Sequence, residues 1–417
     1  MTNEKPYRIR TSADILSYIP HALGFWPRES AVFITMRGGR VGATLRVDLP
    51  HNPTPGEAGD FAEQVRHYLG GDTTRDSTII ALYSDAPWGD QSERPHSRIM
   101  DALEACLAFA GIPVRDAWWI SGSVWREYFC DDVRCCPWPG RPIDDITSSE
   151  LNAELIFRGS HYGRSIEEAT GIGPELQVNT DRAVEESTRE NVHRVGNSWL
   201  RENQFAATMG AWRTAVEGHG DGSRRAGRLP SGIQDEESAG FLLASLTCKT
   251  VRDCLLVQIS IGPEIALKGA FCGDLLSSQS GALMVPEALN TNPAAARRAD
   301  EDPDGTPDAL AVFQAVLVGG HDGPPDWKSI NRAADLFKML LQFSSGPSSA
   351  ALLTMLSWIE WTKGRGSHAQ SYLDKCLELD PKYKLAVLLE QLFATGRLPR
   401  WATKPDTAWS SIGAEAA

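Results

Sequence analysis

The sequence is short of nearly everything that would announce a chemistry. No Gly-x-Gly-x-x-Gly follows a strand, and no Gly-x4-Gly-Lys-Ser/Thr loop, Gly-x-Ser-x-Gly elbow or His-Glu-x-x-His pair occurs. The usual signals of dinucleotide binding, phosphate cradling, serine hydrolysis and zincin chemistry are therefore missing. No apolar run approaches the roughly 18–20 residues of a membrane helix, and no membrane association is expected. The first residues, Met1 to Ile15, lack the apolar core of a secretory signal, which points to a cytoplasmic protein. Basic residues are outnumbered, 41 Lys and Arg against 54 Asp and Glu, for a net charge of −13. A surface of that sign repels phosphate backbones and disfavours nucleic acid as a partner. Eight cysteines among 417 residues are too sparse for a disulfide scaffold.

What is present is an ordinary globular composition, 42% hydrophobic and 23% charged, with length for about two to three domains. Thr11-Ser12-Ala13-Asp14 reads as a helix start with Thr11 or Ser12 as cap, and Pro20 as its end or kink. Ala31 to Met36 reads as a strand and Gly38-Gly39 as a two-residue hairpin turn. Val41 to Leu49 is a second strand, with Val41, Ala43, Leu45, Val47 and Leu49 on one face. Arg46 and Asp48 then share the other face, as an ion pair or as a ligand-binding pair. Glu57 to Leu69 is helical and is closed by Gly70-Gly71. Ser77 to Tyr83 is nearly unbroken apolar sequence, which fits a strand buried on both faces. Asp85 follows its C-terminal end, where open α/β sheets place ligands, and joins Arg46 and Asp48 as a ligand-binding candidate. A helix over His96 to Ala110 and a strand from Val114 complete an α/β fold. Its mixed sheet has flanking helices, and the strands separated by helices run parallel.

The least generic stretch runs from Trp118 to Pro142. It holds four tryptophans and three cysteines and closes in Cys-Cys-Pro-Trp-Pro-Gly. Trp118 to Phe129 suits a strand. The remainder has no period and suits a loop, stiffened by Pro137 and Pro139, each of which keeps the residue before it extended. Cys130, Cys135 and Cys136 are spaced C-x4-CC, unlike the separated pairs of most zinc sites, and adjacent cysteines are poorly placed to share one tetrahedral ion. A metal site would draw its fourth ligand from elsewhere, His161 or Asp132 for instance. A redox pair, Cys130–Cys135 or Cys130–Cys136, is the second reading and needs an exposed, low-pKa thiol. The plainest reading makes all three small buried hydrophobes closing a loop over the tryptophans. No cofactor can be named.

Beyond Pro142 the apolar period turns helical. The expected division is an α/β domain over 1–150, a helical connector over 151–218 and a flexible linker over 219–232. A helical domain over 233–400 follows, with a disordered insert at 288–310, and then a tail over 401–417. Asp235 to Ile261 reads as one helical stretch containing Val251-Arg252-Asp253. Two later helices are separated by Gly364 and ended by Asp380-Pro381. They give the all-helical C-terminal region a tetratricopeptide-like helix pair, with Ala369 at its small position. Half of that signature is missing, since Leu353, Ser357 and Glu360 stand where Trp, Gly and Tyr are usual. A helical cap packed on its own domain is preferred to a peptide groove.

Several segments together resemble one uncharacterised actinobacterial family, the domain of unknown function 4192. They are Leu16-Ser-Tyr-Ile-Pro20-His-Ala-Leu-Gly24-Phe25-Trp-Pro27-Arg-Glu-Ser30, Arg46-Val-Asp48-Leu-Pro50, Cys130-x4-Cys135-Cys136-Pro137-x2-Gly140, Val251-Arg252-Asp253, and Trp361-x2-Gly364-x-Gly366 to Asp380-Pro381-x-Tyr383-x-Leu385-Ala386. They occur in order over nearly the whole chain. The resemblance implies a soluble cytoplasmic protein with an α/β front and a helical back, and implies no activity.

The missing catalytic signatures and the repeat-like C-terminus favour a non-enzymatic binding or scaffold protein. Its partner class would be protein, and its α/β and helical domains would meet at a cleft. One alternative is an enzyme or small-ligand-binding protein with its site at Asp85, Arg46 and Asp48. The other is a thiol redox or metal site at Cys130, Cys135 and Cys136.

Overall fold

Seven consecutive buried residues, Ser77 to Tyr83, form the middle of the sheet, as an unbroken apolar run demands. The structure is a computed structural model that describes residues 7–88, 94–173, 181–220, 229–273, 276–278, 281–289, 306–404 and 406–409. The chain divides into two compact units at Ala169/Thr170. Most of the expected linker at 219–232 and most of the expected insert at 288–310 lie outside the described residues, as does residue 410 onward of the expected tail. No helix among the described residues is long and apolar enough to cross a membrane.

The first unit holds α1 (Ser12–Leu23), β1 (Ser30–Arg37), β2 (Arg40–Asp48), α2 (Pro55–Leu69), β3 (Ser77–Tyr83), α3 (Ser97–Phe109), β4 (Val114–Ile120), β5 (Val124–Glu127) and β6 (Arg141–Pro142). The short helices α4 (Asp144–Thr147), α5 (Glu150–Phe157) and α6 (Ile166–Thr170) follow. The sheet order is β2-β1-β3-β4-β5-β6. β3 and β4 are parallel, joined through α3, and the other neighbours are antiparallel. Helices cover both faces. Phe61 and Val65 of α2 and Ile99 and Leu103 of α3 pack with Phe33, Ile80, Leu82 and Trp119 on one side. Ile15, Leu16 and Ile19 of α1 pack with Val32, Ile34, Ile79, Tyr83, Trp118 and Trp125 on the other.

Local chemistry explains the boundaries and the departures from expectation. Thr11 caps α1 through a capping box with Asp14, which satisfies two orphan amides at once. Pro20 does not end this helix. The chain turns on to Leu23 and closes at Gly24, φ 84°, whose amide reaches the Pro20 carbonyl. The β1–β2 turn uses Gly38 and Gly39 at φ 52° and 81°, a conformation that costs other residues. The clean alternation expected of β2 fails. A bulge opposite Thr35 shifts the register between Ile34 and Met36. Leu45 and Val47 therefore face one core while Val41 faces the other, because a one-residue slip exchanges the faces. The Thr35 hydroxyl fills the break by accepting the Ala43 amide at 2.7 Å. The stretch from Trp118 is two strands rather than one, with Ser121-Gly122-Ser123 turning β4 back into β5.

The second unit is helical: α7 (Arg182–Val195), α8 (Glu202–Gly218), α9 (Glu236–Ser245), α10 (Lys249–Ile261), α11 (Pro263–Cys272), α12 (Thr306–Leu317), α13 (Trp327–Leu341), α14 (Gly346–Thr362), α15 (Gly366–Leu379) and α16 (Lys384–Ala394). The stretch expected as one helix from Asp235 breaks between Ser245 and Lys249. Arg252 of α10 is buried, and its guanidinium holds the Asp253 carboxylate at 2.7 Å and the Tyr383 hydroxyl at 2.8 Å. Two of the segments that carry the family resemblance therefore touch. The α14–α15 pair exists, and the Ser357 hydroxyl donates to the Ala369 carbonyl at 2.7 Å. Every residue of α14 from Ser348 to Thr362 is buried, so the helix works as a core element.

One consequence is a pH dependence. His368 of α15 is buried, and its imidazole is pushed down to about 3, first by burial and then by the Arg365 guanidinium. Unfolded, it would take a proton near its ordinary 6.5. Protons therefore favour the unfolded chain below that value, and stability is full above it and falls as pH drops toward 3. His21 and His96 are shifted the same way, again chiefly by burial. Denaturation midpoints should fall between pH 7 and pH 5, His368 alone contributing about 2 kcal/mol. In a His368→Gln variant the slope should be visibly shallower; an equal slope would remove this assignment.

Candidate functional site

Where β5 ends, the chain enters a loop that its own polar groups fix in place. The Arg126 guanidinium donates to the Cys130 carbonyl at 3.1 Å, and the Glu127 carboxylate accepts the Phe129 amide at 3.1 Å. The Asp132 carbonyl accepts the amides of Cys135 and Cys136, at 3.0 and 2.7 Å. One carbonyl taking both amides curls this segment into a helical turn. Successive side chains then stand roughly 100° apart rather than on opposite faces. Arg141 closes the loop by donating to the Cys135 carbonyl at 3.1 Å. Gly140 admits the return, since a Cβ there would lie 2.8 Å from the Trp125 carbonyl oxygen.

That turn brings the three sulfurs together, all within 4.8 Å of one another. The sulfurs of Cys135 and Cys136 are 3.7 Å apart. Zinc–sulfur bonds of about 2.3 Å in tetrahedral geometry require sulfurs roughly 3.8 Å apart. The expectation that adjacent cysteines are poorly placed for one ion is corrected: the curl at Asp132 removes the obstacle. The plain reading of three buried hydrophobes also fails, because Cys135 is exposed while Cys130 is half-buried and Cys136 buried. All three thiols are free. Burial, then hydrogen bonds with Cys130 and Cys135, pushes the Cys136 thiol up to about 12. A thiol so shifted is a poor redox nucleophile.

Neither of the suggested fourth ligands joins. His161 is exposed and its Nδ1 lies 2.9 Å from the Gly159 carbonyl. The Asp132 carboxylate accepts the Arg134 amide at 2.9 Å and its guanidinium at 3.3 Å. Among the described residues the donor set is three sulfurs alone.

The strand-end candidates lie elsewhere in the same unit. Ser30 pairs with both Asp48 and Tyr83, so Asp48 and the residues after β3 share one edge of the sheet. Arg46 holds Asp48 at 2.5 Å, the ion-pair form of that expectation. Asp85 is exposed, and its amide donates to the Glu29 carboxylate at 2.7 Å. Sequence reasoning missed the residues that organise this edge. The buried Ser84 hydroxyl lies 2.8 Å from His96 Nε2 and 3.4 Å from the Glu29 carboxylate. Glu29 and His96 both hold positive φ, 41° and 59°, a strained state for residues with side chains. Only the position of Ser84 beside Asp85, past an apolar strand, hinted at them. On the opposite face, His21 is buried between Asn152, 3.0 Å from Nε2, and Ser160, 2.9 Å from Nδ1. With both ring nitrogens engaged, it clamps α1 to α5 and the turn after it. In the second unit, a cleft of about 450 Å³ lined by Ser344, Ser345, Ser349, Leu379 and Asp380 offers one ionisable group and no assembled chemistry.

No curated protein and no solved structure matches the sequence. One family does, over residues 13–264 and 327–400. Those stretches contain the cysteine loop and both partners of the Arg252–Tyr383 contact. The interval between them contains the whole segment expected as an insert, 288–310. On that match the chain belongs to the family described as Domain of unknown function (DUF4192).

Proposed function

We propose that the protein binds a soft or borderline metal ion, zinc being the type case, through Cys130, Cys135 and Cys136, leaving one coordination position for an external ligand. The observation that carries this reading is the convergence of three sulfurs within 4.8 Å on a loop held by backbone hydrogen bonds. Three thiolates select zinc or copper(I) over magnesium or calcium. An open position is what separates reactive or transferring sites from closed structural ones. Free thiols in such a cluster fit a reducing, cytoplasmic setting. The protein then acts through a bound ion rather than as a bare scaffold. Purification under reducing conditions followed by elemental analysis should give one equivalent of metal per chain. Cobalt(II) substitution should give thiolate-to-metal charge-transfer absorption. A chain that takes up neither ion stoichiometrically sinks the reading.

A second reading keeps the strand edge as a small-ligand site, favoured by Ser84 being gripped by two strained residues, Glu29 and His96. Mass spectrometry of material released on denaturing freshly purified protein tests it. Absence of any stoichiometric small molecule from both wild type and His96→Ala removes it.

A further inference from the structure

Beneath the cysteine loop lies a cluster of buried hydrogen-bond donors without acceptors among the described residues. Arg126 is 3% exposed. Its Nη2 is taken by the Cys130 carbonyl, but Nε and Nη1 find no acceptor among the described residues. Among the described residues no carboxylate pairs with it either, and rings lie over it. Trp88 and Trp138 lie over the guanidinium carbon at 4.7 and 5.1 Å, and the two rings meet each other edge-on at 6.2 Å. Trp119 is directly opposite Arg126 in the β4–β5 register, and Trp88 meets it edge-on at 5.6 Å. The indole N–H groups of Trp88 and Trp119 are also buried and unaccepted.

Four donor atoms on three adjoining side chains therefore lack partners, and one of those side chains carries a full charge. Native proteins rarely leave buried donors unmade, and a buried cation without a counter-charge is the costlier case. Aromatic faces offset part of the charge but accept few N–H bonds. Nor do the cysteine sulfurs serve, since none accepts from Nε or Nη1. Buried water could accept the hydrogens, yet it would leave the charge unbalanced. An oxyanion does both, and its several oxygens suit donors that come from three side chains.

We propose that Arg126, Trp88 and Trp119 form a seat for a small oxyanion, a carboxylate- or phosphate-bearing molecule. Trp138 is 37% exposed and Trp88 7%, so Trp138 is the ring of the pair that meets solvent. The seat does not depend on the metal centre.

The test uses the full chain, reduced, stripped of metal with a chelator and kept in buffer free of other oxyanions. Inorganic phosphate and acetate are titrated separately, read by tryptophan fluorescence and by Tm. A saturable fluorescence change with a rise in Tm is expected for one of them, and which one responds separates phosphate from carboxylate. Arg126→Met should bind at least tenfold more weakly. It should also be no less stable than wild type in anion-free buffer, because it removes an unmatched charge. Arg126→Lys keeps the charge without the planar donors and should fold and bind more weakly. Failure of wild type to saturate with either anion overturns the proposal, as does an equal response from Arg126→Met. Because the titration is metal-free, its outcome is separate from that of the metal analysis.

Discussion

Replacing Glu360 by glutamine should cost the helical unit about 3–5 kcal/mol, the range for breaking a buried ion pair by removing one partner. Glu360 is 1% exposed in the last turn of α14. Its carboxylate lies 3.5 Å from Lys363 Nζ and 3.1 Å from an Arg365 nitrogen. Burial alone would raise its pKa, but the charges of Lys363, Arg365 and their neighbours hold it well below the usual carboxylate range. Lys363 is buried as well and is pushed down by that burial, against the pull of Glu360. Glutamine has nearly the same volume, so no cavity term enters. What changes is that the buried Lys363 ammonium and the half-buried Arg365 guanidinium remain without their acid. Trp409 stacks on both, at 5.3 and 5.4 Å, which softens the loss without replacing a charge. Denaturant midpoints of the full chain measure the cost. The double variant Glu360→Gln/Lys363→Met should recover part of it, because the loss comes from an orphaned charge and not from a missing contact. A single-variant loss under about 1 kcal/mol would contradict a buried, charged cluster.

Glu360 also shows where a sequence stops being legible. The apolar frame was readable because it obeys periods. Ser77 to Tyr83 read as a doubly buried strand, Gly38-Gly39 as a tight turn, and Thr11 to Asp14 as a helix start, and each stands so in the structure. Burial of a charged group obeys no period. Glu360 looked like a defective repeat position, and although Lys363 and Arg365 stand only three and five residues on, nothing local says that this cluster is buried. The bulge at Thr35 was invisible for a related reason: it depends on the register between two strands, and its cost is met by a hydroxyl from the partner strand. The same limit hid Glu29 and His96, whose importance lies in backbone torsions and in a shared contact with Ser84. The cysteine loop is the intermediate case. Its composition marked it as unusual, but C-x4-CC matched no known spacing. Convergence came from one carbonyl, that of Asp132, accepting two successive amides.

Cys135→Ser should weaken metal binding by roughly 10²–10³-fold while leaving the metal-free fold intact. Structural zinc binding of about 10–16 kcal/mol shared over four ligands puts roughly 2.5–4 kcal/mol on each. A serine hydroxyl at this position stays protonated and cannot replace a thiolate. Cys135 is exposed, so the substitution removes a ligand and little packing, and the chelated variant should unfold at the wild-type midpoint. Cys136→Ser differs in kind. That sulfur is buried, and the variant should lose both metal and some stability. Cys106 offers the control: its thiol donates to the Glu63 carboxylate at 3.4 Å and it belongs to no cluster among the described residues, so Cys106→Ser should bind as wild type does. Competition titrations against a chromophoric chelator order the three. If Cys135→Ser and Cys106→Ser held the ion equally tightly, proximity of the sulfurs would be a feature of packing, and the loop would have to be read as a lid over the tryptophans.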